Sequence, residues 1–142
     1  MQTLISYAMS FLGTPYKWGG DGRDGIDCSG LIMEILKSCG MAPPNDRTSA
    51  QLHDYFIANG KSIVQCKPAC LCFYGSEKIT HVAFGIDNFR IIEAAGGDRN
   101  VNTRDEAIHR NAWVRIRPYD HRNDLIAILM PNYPSRLSTF PS

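Results

Sequence analysis

Apolar residues recur at helical spacing over the first sixty positions and in short runs thereafter, and that change of period divides the chain. Leu4, Ile5, Met9, Phe11 and Leu12 fall at mixed helical intervals before Gly13 and Pro15. They predict an amphipathic helix over 4–12 with a C-terminal stop. The run YKWGGDGRDGID (16–27) has Gly and Asp instead of a period, and reads as a loop in which Gly supplies turns and close backbone approach. Cys28 then opens a strongly periodic segment, with Leu31, Ile32, Ile35, Leu36 and Cys39 on one face and Gly40 as its stop. Cys28 stands three residues before Leu31, which puts it on the buried side of the helix start. Pro43 and Pro44 open another loop, and a short helix is predicted over 49–59.

From Ser62 onward the period shortens to that of strands: 70–74 (CLCFY), 81–87 (HVAFGID), 89–94 (FRIIEA), 113–117 (WVRIR) and 125–130 (LIAILM). The second and third of these, joined at Asn88, read as a hairpin. Beyond Pro131 the Pro and Ser residues predict a loosely held tail. Helices first and an antiparallel sheet after them predict an α+β fold, and 142 residues without internal repeats fit one domain over 1–142.

Composition narrows the function classes. Apolar content of 44%, charged content of 20% and a net charge of +1 are those of an ordinary globular chain. They give no electrostatic footprint for nucleic acid or an anionic membrane. No apolar stretch approaches the roughly 20 residues that span a bilayer. The first apolar stretch has no Lys or Arg before it and is periodic, so it reads as a helix and not as a signal peptide. On that reading the product starts in the cytoplasm, and its five cysteines are expected as free thiols.

Three residues stand out chemically. A thiol reacts as its thiolate, which a helix N-terminus and a cationic His both favour, and N–H groups at that terminus can hold an oxyanion. Cys28, opening a helix after a Gly-rich loop, has that setting; a buried structural thiol is the other reading of its position. His81 begins an apolar strand, where the sheet could fix a base, or it is a structural histidine. His53, His109 and His121 lie in polar contexts without such a setting. Glu93 sits among Ile91, Ile92, Ala94 and Ala95. A carboxylate there needs a partner, such as the second ring N–H of a catalytic histidine, unless it faces solvent from an edge strand. Cys66-x3-Cys70-x-Cys72 lacks the paired spacing of zinc sites and reads as core thiols, so no metal and no cofactor is expected.

The run PYKWGGDGRDGIDCSGL resembles the NlpC/P60 family of cell-wall peptidases, whose Tyr-x-Trp-Gly-Gly loop leads into Asp-Cys-Ser-Gly-Leu. Downstream, DRTSAQ (46–51), KPACLCFY (67–74), HVAFGID and IIEAAGG resemble the family's later segments in the family's order, with Cys70 and Ala69 where it usually has Asp and Gly. The resemblance implies a papain-like fold with Cys28 as nucleophile and His81 as base. Glu93, twelve residues after His81, falls at the third, orienting position, which is often a second His in the family. It implies a Tyr16 hydroxyl near the oxyanion, and Asp27 and Ser29 holding the free amino end of the substrate and shaping its pocket. Trp18, Gly19 and Gly20 are expected to pack the loop. The implied reaction is hydrolysis of peptidoglycan stem peptides between D-γ-glutamyl and a diamino acid. Without an export signal, a phage or prophage lysis enzyme or tail component, with phage tail proteins as partners, would fit; so would a recycling or toxin-like cytoplasmic peptidase. An N-acetylmuramoyl-L-alanine amidase, a thiol acyltransferase on a related fold, and a non-catalytic tail module are the alternatives.

Overall fold

The computed structural model describes residues 1–138. Five helices and eight strands follow in the order α1 (Gln2–Met9), β1 (Asp21–Gly22), β2 (Gly25–Ile26), α2 (Cys28–Ser38), α3 (Ser49–Ala58), β3 (Gly60–Ser62), β4 (Leu71–Tyr74), β5 (His81–Gly85), β6 (Arg90–Ala95), α4 (Arg104–Arg110), β7 (Trp113–Pro118), β8 (Leu125–Pro131) and α5 (Ser135–Ser138). β3 to β8 form one antiparallel six-stranded sheet in the order β3-β8-β4-β5-β6-β7. The fold is α+β, as the period change predicts, and papain-like, as the resemblance implies.

α2 is buried on several sides: Leu31, Ile32, Met33, Ile35 and Leu36 are all enclosed as it packs on β5 and β6, with α1 beside it. Side chains alternate across a strand. Val82, Phe84, Ile92 and Ala94 therefore join the helices in the main core, while Cys72, Tyr74, Ala83 and Ile91 form a second cluster on the far face with Cys66, Cys70 and Ile128. Covering on both faces is why β4 and β5 are buried at every position. Such strands read as apolar runs without clean alternation.

Several elements depart from expectation. α1 ends at Met9, and the apolar period to Leu12 continues through tight turns, with Phe11 N–H bonded to Ala8 O and Leu12 N–H to Met9 O. The loop 16–27 contains the small ribbon of β1 and β2. β3 (GKS) and α4 (RDEAIHR) carry too few apolar residues to show a period; Ala107 alone is buried in α4, which Thr103 caps. The stretch after Pro131 is held at Tyr133, whose hydroxyl donates to Ala69 O at 2.8 Å, and it carries α5; the rest of the expected tail, 139–142, lies outside the described residues.

Candidate active site

The first turn of α2 and the Gly-rich loop are built as one piece. Asp27 is the helix N-cap: its Oδ1 accepts from Gly30 N–H at 2.7 Å and from the Ser29 hydroxyl at 3.3 Å, and its Oδ2 accepts from Gly19 N–H at 2.9 Å. One carboxylate thus starts the helix and pins the loop. Glycine is required where the two meet, because a Cβ on Gly30 would lie 2.2 Å from Gly20 O, and one on Gly20 would lie 2.4 Å from Gly25 O. Cys28, half-buried, follows the cap. Helix geometry leaves the N–H groups of Cys28 and Ser29 without an intrahelical acceptor, at the positive end of the helix dipole. They face a cavity of about 690 Å³ lined by Tyr16, Cys28, Ser29, Arg47 and His81 among others.

His81 enters that cavity from the first position of β5. Its Nε2 lies 2.7 Å from Glu93 Oε1, which leaves Nδ1 for the Cys28 side. Burial pulls the ring's pKa down. Hydrogen bonding to Cys28 and Glu93, with the negative charge of both, outweighs it and raises the pKa to about 9. Glu93 is 1% exposed, on the face of β6 away from the helices. Burial pushes its pKa up, but the His81 hydrogen bond and the charges of His81, His121 and Arg117 leave it below its ordinary value, so it is a carboxylate.

The other oxygen of Glu93 has neighbours that the sequence concealed. His121 Nε2 stands 3.1 Å from Oε2 and Arg117 Nε 3.6 Å from it, although the His121 N–H is not aimed along the line to the oxygen. His121, set aside as a loop histidine, therefore belongs to this cluster. Burial above all holds its pKa down, with Arg117, Arg122 and His81 adding to the effect against the pull of Glu93. Tyr74 packs between the two histidines, its ring centroid 5.7 Å from that of His81 and 6.3 Å from that of His121.

Tyr16 is 4% exposed and lines the cavity. Its ring lies on bare backbone at Gly97, where a Cβ would fall 2.1 Å from Cδ1. Burial, then the negative charges of Cys28, Asp27 and Asp98, push its phenol far above the ordinary range, so it stays a hydrogen-bond donor. Trp18, expected to pack the loop, is 53% exposed at the cavity wall, a correction to that expectation. Arg122 also lines the cavity, its guanidinium held by both oxygens of Asp124.

A helix presenting a cysteine at its N-terminus to a histidine on an antiparallel sheet is the architecture of the papain-like fold. Within that class the NlpC/P60 family model matches residues 13–118, and the chain belongs to the NlpC/P60 family. The gamma-D-glutamyl-L-lysine dipeptidyl-peptidase of Bacillus subtilis (strain 168) is 42% identical over 122 residues, 82% of this chain and 40% of that protein. An NlpC/P60 family protein from Bacillus cereus superimposes with a TM-score of 0.71 at 24% identity, over 94% of this chain and 40% of the other. RipD from Mycobacterium tuberculosis, described as a non-catalytic NlpC/p60 domain protein adapted to peptidoglycan binding, superimposes with a TM-score of 0.65 at 23% identity, over 92% and 95% of the two chains. The two structural likenesses bear on the fold alone. The chain spans less than half the length of the curated relatives it matches.

Proposed function

We propose that the chain is a cysteine peptidase that cuts an amide bond within peptidoglycan stem peptides. The observation that carries the proposal is the His81 ring, bound at Nε2 to buried Glu93 at 2.7 Å, in a cavity that Cys28 also lines. In this reading the Cys28 thiolate attacks the carbonyl carbon while the imidazolium of His81 holds the proton. The N–H groups of Cys28 and Ser29 and the Tyr16 hydroxyl donate to the oxyanion. His81 then passes its proton to the leaving amine, which departs and leaves a thioester on Cys28. Neutral His81 takes a proton from water as it attacks the thioester, and free acid and thiolate are regenerated. Glu93 keeps the ring in one tautomer and orientation and offsets its charge.

Asp27 and Ser29 line the same cavity, and Asp27 supplies a fixed negative charge suited to a substrate ammonium. Family membership and the dipeptidyl-peptidase relative favour the D-γ-glutamyl–diamino acid bond. The test is mass spectrometry of defined peptidoglycan fragments incubated with purified protein or with Cys28→Ala. Cleavage inside the stem peptide by the unaltered protein alone supports the proposal and names the bond. Release of whole stem peptides from the glycan would make it an amidase instead. Intact fragments in every case would refute hydrolysis and favour a binding role.

A further inference from the structure

On the sheet face away from α1 to α3, three thiols meet. The Cys66 and Cys70 sulfurs are 3.7 Å apart, those of Cys70 and Cys72 3.8 Å, and all three lie within 4.8 Å of one another. Cys70 and Cys72 share one face of a strand; Cys66 reaches them through the tight turn Lys67–Cys70, closed by a Cys70 N–H bond to Lys67 O at 3.1 Å. Ala69 takes a left-handed conformation (φ 70°) to make that turn. Facing it, Gly85 must stay bare: a Cβ there would fall 2.7 Å from Cys70 Sγ and 3.2 Å from Cys66 Sγ.

We propose that Cys66, Cys70 and Cys72 form a buried trigonal thiolate site for a thiophilic d10 cation, copper(I) or zinc. For sulfurs at these separations the point equidistant from all three lies no more than about 2.4 Å from each, and a zinc–thiolate bond is about 2.3 Å. The donors are thus already spaced to reach one common point at bonding distance. The Lys67 N–H donates to Cys70 Sγ at 3.4 Å, the main-chain support a bound thiolate uses. Binding forms three metal–sulfur bonds and releases the thiol protons to solvent. Soft thiolates select copper(I) and zinc over hard cations. Asp87 O, 3.3 Å from Cys66 Sγ, is an oxygen at hand for a cation that demands a fourth ligand, as zinc does and copper(I) does not. All three thiols are fully buried, with Tyr74, Ala83, Ile91 and Ile128 around them, so the site is a structural staple and not a second catalytic centre.

The test uses reduced, metal-free protein carrying Cys28→Ala and Cys39→Ser, which removes the other two thiols. Copper(I) and zinc are titrated in separate arms against a competing chelator. One equivalent of one cation is expected, with thiolate-to-metal absorption, proton release and a Tm rise of several degrees. Cys70→Ser in the same background should weaken binding at least a hundredfold. X-ray absorption on the loaded protein should count three sulfur neighbours, a readout that needs no further variant to fold. Failure of both cations to bind stoichiometrically, undiminished binding in Cys70→Ser, or fewer than three sulfurs would each overturn the proposal. None of these readouts depends on hydrolysis, so they stand apart from the fate of the peptidase reading.

Discussion

Glu93 shows how one residue type in the wrong company reveals a site. A carboxylate between Ile92 and Ala94 is legible in the sequence as an anomaly, and the structure supplies His81 at 2.7 Å as the partner. His121 was not legible, because it reaches Glu93 Oε2 only after β7 has paired with β6 and the chain has turned back. Nothing in its polar surroundings distinguishes it from any loop histidine. On the proposed mechanism, Glu93→Gln should lower turnover by about 100-fold or more, since the His81 ring loses its orientation and its counter-charge. It should also move the alkaline limit of activity to lower pH. In the unaltered protein that limit is expected near pH 9, where the His81 imidazolium is lost; a pH–rate profile of both proteins checks the pair. The sign for stability is the same. The His81 pKa is raised on folding, so its charge stabilises fully below the unfolded value of about 6.5 and the contribution fades as pH rises through about 9. His121→Ala removes a half-buried ring packed beside Tyr74 and should cost about 1 kcal/mol in urea unfolding.

At the scale of elements, α2 was legible from its apolar period between a Gly-rich loop and Gly40, while the Asp27 cap directly before it was not read from the sequence. The registry of the Gly-rich loop was not, since composition says only that turns occur there, not that Gly20 O rests against Gly30. Gly30→Ala places a Cβ 2.2 Å from that oxygen, so it should displace the loop and Cys28 together. The expected result is a large loss of activity with a lowered Tm, read on the same preparation. At Ala69 the reverse substitution is informative. A left-handed alanine is disfavoured by about 1–2 kcal/mol, and the greater freedom of glycine in the unfolded chain offsets part of the relief. Ala69→Gly should therefore stabilise by about 0.5–1 kcal/mol, measured by urea unfolding at equilibrium.

Over the whole molecule, the order of helices and sheet was legible because the hydrophobic period changes once, near Ser62. The crossing order of the sheet was not: β8, last in the chain, inserts between β3 and β4, a long-range pairing that no local pattern encodes. That arrangement gives the sheet two covered faces. One carries the helices and Cys28; the other carries Glu93, His121 and the thiol cluster, and His81 at the end of β5 is where the two chemistries meet. The account predicts that Cys28 becomes an acyl carrier during turnover. Rapid acid quench of the protein with a stem-peptide substrate, followed by peptide mapping, measures this directly. The expected result is a thioester adduct on Cys28 bearing the amino-terminal part of the substrate, absent in Cys28→Ala. Substrate cleavage that proceeds with no adduct and survives Cys28→Ala would contradict it.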